Sequence, residues 1–361
     1  MNKCIICGMD VHERTIKTCT AAGDGKPEVQ TFANTEEGRA ALIRYLRGWA
    51  RKHGCKDMAT AYEACCLGFG LYDELMAAGI VCHVLAPSLM RKSRKDVKRK
   101  TDEADARMIF ETLRGHVLAK NSLPSVWVPP QDLRDDREVV RTRLNVGEKV
   151  TEVKTQIQML LKKNGIRKPA GVGKAWTVVY RKWLLGWLEC GGPELSHGAA
   201  IAMKSMLRQL AALEEEIKRL DKEMETLAAT PRYRAASEAL VKRIKGVGLL
   251  TAMVFLTELG DMNRFQNRRQ LGSFLGLAPT SDESGEVTDR KGHINRSGPA
   301  RVRWALCQAT WVRLMHDELE AAAFDRIRKG SKKLKKVAQT ACMRRLGILM
   351  WHTAKNVQTA A

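Results

Sequence analysis

Cys4-Ile5-Ile6-Cys7-Gly8-Met9-Asp10 is an apolar run closed by a carboxylate, the pattern of a buried strand whose last residue reaches the edge of its sheet. Two more strand-like segments follow, Thr15 to Ala22 and Val29 to Ala33, with Gly23-Asp24-Gly25-Lys26-Pro27 as the turn between them. Strands joined this tightly must pair antiparallel, because a parallel pair needs a long crossover. Glu36 to His53 then sets Ala40, Leu42, Ile43, Leu46 and Trp49 at a helical period. A strand from Met58 to Ala64, a helix from Tyr72 to Ala78, a strand from Ile80 to Ala86 and a helix opening near Thr101 complete the first third. Three antiparallel strands followed by strand and helix in alternation is the order of an RNase-H-like fold, in which the later strands add in parallel.

That order makes particular acids interesting. Asp10 ends the first strand and Glu63 the fourth, so neighbouring strands would carry both carboxylates to one edge of the sheet. In Lys100-Thr101-Asp102-Glu103-Ala104-Asp105-Ala106-Arg107, Thr101 suits a helix N-cap. Asp102 and Asp105, three residues apart, then share a face near the positive end of the helix dipole. Taken alone, this could be an ordinary helix start. Four converging acids, however, repel one another unless a divalent cation sits among them, and carboxylate oxygens are the ligands Mg²⁺ prefers, with Mn²⁺ an alternative. A pair of such ions can clamp the attacking and leaving oxygens of a phosphodiester. His12 and Glu13, just beyond Asp10, read as surface or packing residues. Arg91, Lys92, Arg94, Lys95, Lys98 and Arg99 precede the acidic helix start, the composition of a loop that meets a polyanion.

A formal charge of +22 over 361 residues speaks to partners, and nucleic acid is the usual one, with a ribosomal or membrane-surface role as the other source of such a balance. No apolar run reaches the roughly 18 residues a spanning helix needs, and Met1-Asn2-Lys3 leads straight into a strand. The expectation is a soluble, cytoplasmic protein. Most of the ten cysteines should be buried small hydrophobes. Cys4-x-x-Cys7 is no zinc motif, since residues three apart on a strand face opposite ways and no second pair follows at finger spacing.

From Val126 the texture changes. After Trp127-Val128-Pro129-Pro130, the stretch Asp132 to Lys163 spaces Val146, Val150, Val153, Ile157 and Leu160 four, three, four, three. A second helix from about Ala200 keeps a heptad beat through Met206, Leu210, Leu213, Ile217, Leu220, Met224 and Leu227, so a coiled-coil pair is expected, as a hairpin or a dimer contact. Between them Trp176, Tyr180, Trp183 and Trp187 should pack a small domain. Beyond Pro231, Ile244-Lys245-Gly246-Val247-Gly248 reads as a helix-hairpin-helix turn whose glycines, Gly246 and Gly248, let backbone N–H groups approach a phosphate, or as a plain turn between packed helices. Pro299 suits the first turn of a later helix that begins with Arg301 and Arg303, both available to phosphate. The expected class is α/β plus α: residues 1–125 RNase-H-like, 126–232 a helical coiled-coil region, 233–361 a mostly helical C-terminal domain.

The sequence resembles the DEDD transposases of the insertion-sequence family numbered one hundred and ten, which include the invertases related to Piv. The resemblance rests on Gly8-Met9-Asp10-Val11-His12, Tyr62-Glu63-Ala64, Lys100 to Ala106, Gly246-Val247-Gly248, Glu258-Leu259-Gly260-Asp261, Arg264-Phe265, and Leu275-Gly276-Leu277-Ala278-Pro279 leading to Ser284-Gly285. It covers nearly the whole chain, with the motifs in the family's order. It implies a RuvC-like N-terminal domain with Asp10, Glu63, Asp102 and Asp105 as the metal-binding set, a coiled-coil middle, and a C-terminal transposase domain in which Ser284 attacks DNA. It further implies acids and serine from different protomers of a dimer or tetramer, target and donor DNA as substrates, and a structured guide RNA, a bridge RNA or seekRNA. Two departures stand out: Glu283-Ser284 where relatives often have two serines, and Gly298-Pro299 where they often have Gly-Asn. By its residues alone Ser284 is a loop serine with no adjacent base; Ser281 and Ser297 are the other candidates. A hydrolytic junction nuclease and a non-catalytic nucleic-acid-binding protein are the competing functions.

Overall fold

The computed structural model describes residues 4–90, 101–190, 195–281 and 291–358. The chain divides into two compact units, Met1–Pro129 and Pro130–Ala361, so the helical middle and the C-terminal segment fall within one unit. The basic run from Arg91 to Arg99 and the residues around Ser284 lie outside the described residues.

In the first unit, β1 (Cys4–Val11), β2 (Thr15–Ala22) and β3 (Glu28–Ala33) form an antiparallel meander. Helix α1 (Glu36–His53) is capped by Thr35 and closed by Gly54 at φ 63°. It crosses over to β4 (Asp57–Glu63), and α2 (Gly70–Ala77) leads to β5 (Val81–Leu85). Strands β4 and β5 add in parallel beside β1, giving the order β3-β2-β1-β4-β5. Helix α3 (Asp102–Ala119) closes the unit. This mixed five-stranded sheet is consistent with an RNase-H-like domain.

Strand alternation divides the sheet into two apolar faces. Ile5, Cys7, Met9, Tyr62 and Val84 pack under Leu42 and Leu46 of α1 and Leu71 and Leu75 of α2. Ile6, Ala59, Ala61 and Leu85 pack under Ala106, Ile109, Phe110 and Leu113 of α3. At Gly8 the second face has no room for a side chain: a Cβ there would stand 2.2 Å from the Phe110 nitrogen and 2.6 Å from the Ala106 oxygen. The glycine therefore lets the helix backbone lie directly on the central strand.

The second unit is built around a long helical pair, α4 (Gln131–Lys163) and α6 (His197–Ala228), with the short α5 (Val178–Cys190) between them in sequence. At the distal end of the pair, Val150, Val153, Ile157 and Leu161 of α4 and Met203, Leu207 and Leu210 of α6 share a cluster with Tyr180 and Leu184. Leu161, one residue past the expected Leu160, enters this core, because 3.6 residues per turn advances the stripe beyond a strict heptad. Then come α7 (Arg234–Arg243), α8 (Leu249–Leu259), α9 (Arg268–Phe274), the hairpin β6 (Pro279–Ser281) and β7 (Lys291–Ile294), α10 (Ala300–His316), α11 (Glu318–Arg328) and α12 (Lys335–Gln358). Helix α8, apolar nearly all round, is the centre of this core. Arg137 donates to the carbonyls of Thr257 and Glu258 at 2.7 and 2.8 Å, and Arg141 grips the buried Glu258 carboxylate at 2.8 and 2.9 Å, fastening α4 to the end of α8. Among the described residues no helix is long and apolar enough to cross a membrane.

Candidate functional site

The buried stripe of α3 runs Leu113, Phe110, Ile109, Ala106. Continued one turn toward the N-terminus, the same face carries Asp105 and Asp102, beyond the level where Gly8 admits the helix. Thr101 fixes this start by accepting a hydrogen bond from the Ala104 amide at 3.2 Å, and the open N-terminus favours negative charge. Glu103, on another side of the same turn, pairs with Arg107 at 3.7 Å.

Asp10 lies two residues beyond Gly8, on the same face of β1. The His12 Nε2 is 3.0 Å from Asp10 Oδ2 and 3.5 Å from Asp102 Oδ1, tying the strand end to the helix start. One ligand atom from each of Asp10, His12 and Asp102 can be chosen so that all lie within 4.8 Å of one another. The Asp10 side chain is 16 % exposed and that of Asp102 58 %, so the cluster is a shallow site with a sheltered base. Burial pushes the Asp10 carboxyl up; His12 pulls it down, and the nearby carboxylates of Asp105 and Asp102 push it up again, with a net rise. Asp105 is thus within electrostatic reach of Asp10. Glu63 is half-buried at the end of β4. The parallel register pairs Met9 with Tyr62, so Asp10 and Glu63 come one residue later at the same level, on the α3 face.

Of the acids singled out from sequence, Asp10 and Asp102 meet through His12, Asp105 joins them electrostatically, and Glu63 is placed beside Asp10 by strand register. His12, read from sequence as a bystander, is the residue that touches both aspartates. A signal for it existed: residues i and i+2 at a strand end face the same way, so Asp10 and His12 were bound to share a side.

In the second unit, Gly246 has φ 86°, and a Cβ there would approach the Ala309 oxygen to 2.7 Å and the Arg313 nitrogen to 2.8 Å. The turn's first glycine is thus required by its packing on α10. Gly248 is exposed at the start of α8. Arg303 donates to the carbonyls of Gly298 at 2.6 Å and Leu275 at 3.2 Å, joining the chain just before β6 to the chain just after β7. Arg301 is half-buried and reaches the Asn145 side-chain oxygen at 3.4 Å. Ser281 pairs with Lys291 in the hairpin, and the Ser297 amide donates to Asn295 at 3.4 Å.

Two family models match the chain: a DEDD-type transposase model of IS110 elements over residues 7–165, which includes every acid of the cluster, and the Transposase IS116/IS110/IS902 family over residues 238–326. Joined to the acid cluster on its RNase-H-like sheet, these matches define the chain as a DNA transposase. Curated relatives agree. The Sinorhizobium fredii protein y4qE, a transposase by name, is 28% identical over 92% of this chain and 78% of its own length. The transposase for insertion sequence element IS1533 of Leptospira borgpetersenii is 27% identical over 76% of this chain and 75% of its own. The pilin gene-inverting protein of Moraxella bovis is 28% identical over 83% and 80%. The chain belongs to the IS110 family of transposases, and its activity is DNA transposition.

Proposed function

We propose that this transposase cuts and rejoins DNA in a divalent-metal-dependent reaction in which Asp10, Glu63, Asp102 and Asp105 hold the metal and Ser284 is the nucleophile. The meeting of Asp10 and Asp102 from two different elements, over the glycine that lets those elements touch, is the observation that carries the reading. The donor set fits Mg²⁺ or Mn²⁺, since hard carboxylate oxygens are the ligands both ions take. A bound divalent ion supplies Lewis acidity to a phosphate oxygen and lowers the pKa of a hydroxyl, which Ser284 needs in place of an adjacent base.

The chain's own residues do the rest. His12, bridging Asp10 and Asp102, orients both carboxylates before DNA arrives. Ser284 Oγ attacks phosphorus, a protein–phosphate ester forms, one P–O bond of the strand breaks, and the departing strand oxygen takes a proton. Attack by a strand hydroxyl on the ester reverses these changes and conserves bond energy. Arg303 braces the base of the hairpin whose connecting residues include Ser284. Arg301 and the exposed Gly248, with the basic residues before Thr101, serve as phosphate contacts, and α4 and α6 form the coiled-coil contact between protomers of a dimer or tetramer. Following the family resemblance, acids and serine come from different protomers, and a structured guide RNA pairs with target and donor DNA.

The test is strand cleavage by Ser284→Ala and Asp10→Asn with DNA binding measured in parallel. Ser284→Ala should abolish both nicking and the covalent protein–DNA adduct, and Asp10→Asn should bind DNA without cutting it. Persistent nicking by Ser284→Ala would establish hydrolysis instead, and normal cutting by Asp10→Asn would remove the acids from the chemistry.

A further inference from the structure

At the distal end of the α4–α6 pair, the 21 residues from Lys162 to Lys182 contain seven Lys or Arg and no Asp or Glu. They surround a cavity of about 510 Å³ whose lining includes Lys162, Arg167, Lys168, Tyr180 and Trp183 and no carboxylate. Lys162, Arg167 and Lys168 are exposed. The nearby Glu214 is engaged by Arg181 and, at 3.1 Å, by Lys154, which hold its carboxyl below the usual range. Negative charge therefore does not cancel the cations at the cavity.

The aromatic part is closely packed. Tyr180 is 4 % exposed and meets Trp176 and Trp183 edge-on, with ring centroids 5.5 and 5.3 Å away. Tyr180 belongs to the small core as its spacing led us to expect, while Trp176 and Trp183 pack against that core and are only partly covered by it. A cavity of this volume holds one small ligand. Its cations select an anion, its aromatic and aliphatic walls select a flat ring, and a nucleotide is the ligand that offers both. Lys163, Lys174 and Lys182, outside the lining, are exposed on the same stretch, so charge continues past the cavity mouth as a strand's further phosphates would require.

We propose that the tip of this helical pair is a single-strand nucleic-acid site, in which one unpaired nucleotide enters the cavity with its base against Trp183 and Tyr180 and its phosphate on Lys162, Arg167 and Lys168. This stands apart from the acid cluster and would hold even if the catalytic reading failed. A base already paired in a duplex cannot leave its partner to enter at no cost, so the site discriminates strandedness.

The experiment uses the full chain and fluorescein-labelled oligonucleotides, oligo(dT), oligo(rU) and a mixed-sequence duplex, in anisotropy titrations at several salt concentrations. The double variant Lys162→Gln/Arg167→Gln alters two exposed side chains. It should bind at least one of the two single strands about tenfold more weakly, with a salt slope shallower by about 0.7 for one lost phosphate contact, and the duplex within twofold of the unaltered chain. The strand that loses more tells whether DNA or RNA is the ligand. Equal losses for duplex and single strands, or no loss for either single strand, would overturn the proposal and leave a solvated basic surface. Photocrosslinking of 5-bromouracil-substituted oligonucleotides to the unaltered chain gives a second reading: adducts at Tyr180 or Trp183 support the site, and adducts confined to other residues refute it.

Discussion

Asp10 is held where burial disfavours its charge and where Asp105 and Asp102 add to the repulsion, against the single pull of His12, and its carboxyl is raised as a result. A carboxyl with a folded pKa above its unfolded one contributes stability that is full below the unfolded value, near pH 4, and is lost as pH rises through the folded value. Without metal, the chain at neutral pH therefore carries a cost at Asp10. Asp10→Asn keeps an oxygen for His12 and removes that charge. It should raise the melting temperature of metal-free protein at pH 7. The gain should close on acidification toward pH 4. Scanning calorimetry across pH checks it, and a lower melting point at pH 7 would mean that the carboxylate stabilises the fold. The sequence could place His12 on the side of Asp10, two residues away, but not reveal its second partner, because Asp102 arrives from a distant helix.

Helix α3 can bring its acids to β1 because Gly8 leaves its backbone room. Gly8→Ala should cost about 1–3 kcal/mol, the range for forcing an extra methyl into a packed contact, and should reduce strand cleavage more than the stability loss explains, because the displaced helix carries Asp102 and Asp105. Denaturant unfolding and single-turnover cleavage on the same preparation separate the two effects. The order of elements in this unit was readable in advance, since the apolar run of β1, the turn residues between β2 and β3 and the helical period of α1 are local patterns that tertiary packing merely used. The need for glycine was not, because it comes from a contact between residue 8 and residues 106 and 110. The same holds for Gly246, whose strain-tolerant backbone looked equally suited to a phosphate and meets α10. In the second unit, Arg141→Ala leaves the Glu258 carboxylate buried without its bidentate partner. Losing one member of such a pair costs about 3–5 kcal/mol, measurable as a lower urea midpoint, whereas a change below about 1 kcal/mol would mean that α4 and α8 are held by apolar packing alone.

Across the whole molecule, an excess charge of +22 dictates that affinity for DNA is largely the release of counterions. If six or more phosphates are engaged, duplex binding should fall about a thousandfold between 50 and 200 mM salt, and a fall under tenfold would put most of the basic surface outside the DNA interface. The charge named the partner class from composition alone. Composition could not say where the acids would gather, since Asp10, Glu63 and Asp102 are distant in sequence and become neighbours only through sheet register and helix packing. Their joint action is the central claim, and Mn²⁺ binding followed by the electron paramagnetic resonance signal of the free ion tests it without requiring turnover. The unaltered chain should bind Mn²⁺, and Asp10→Asn and Asp102→Asn should each weaken that binding at least about tenfold, as loss of a ligand from a shared site requires. Undiminished binding in both variants would contradict the account.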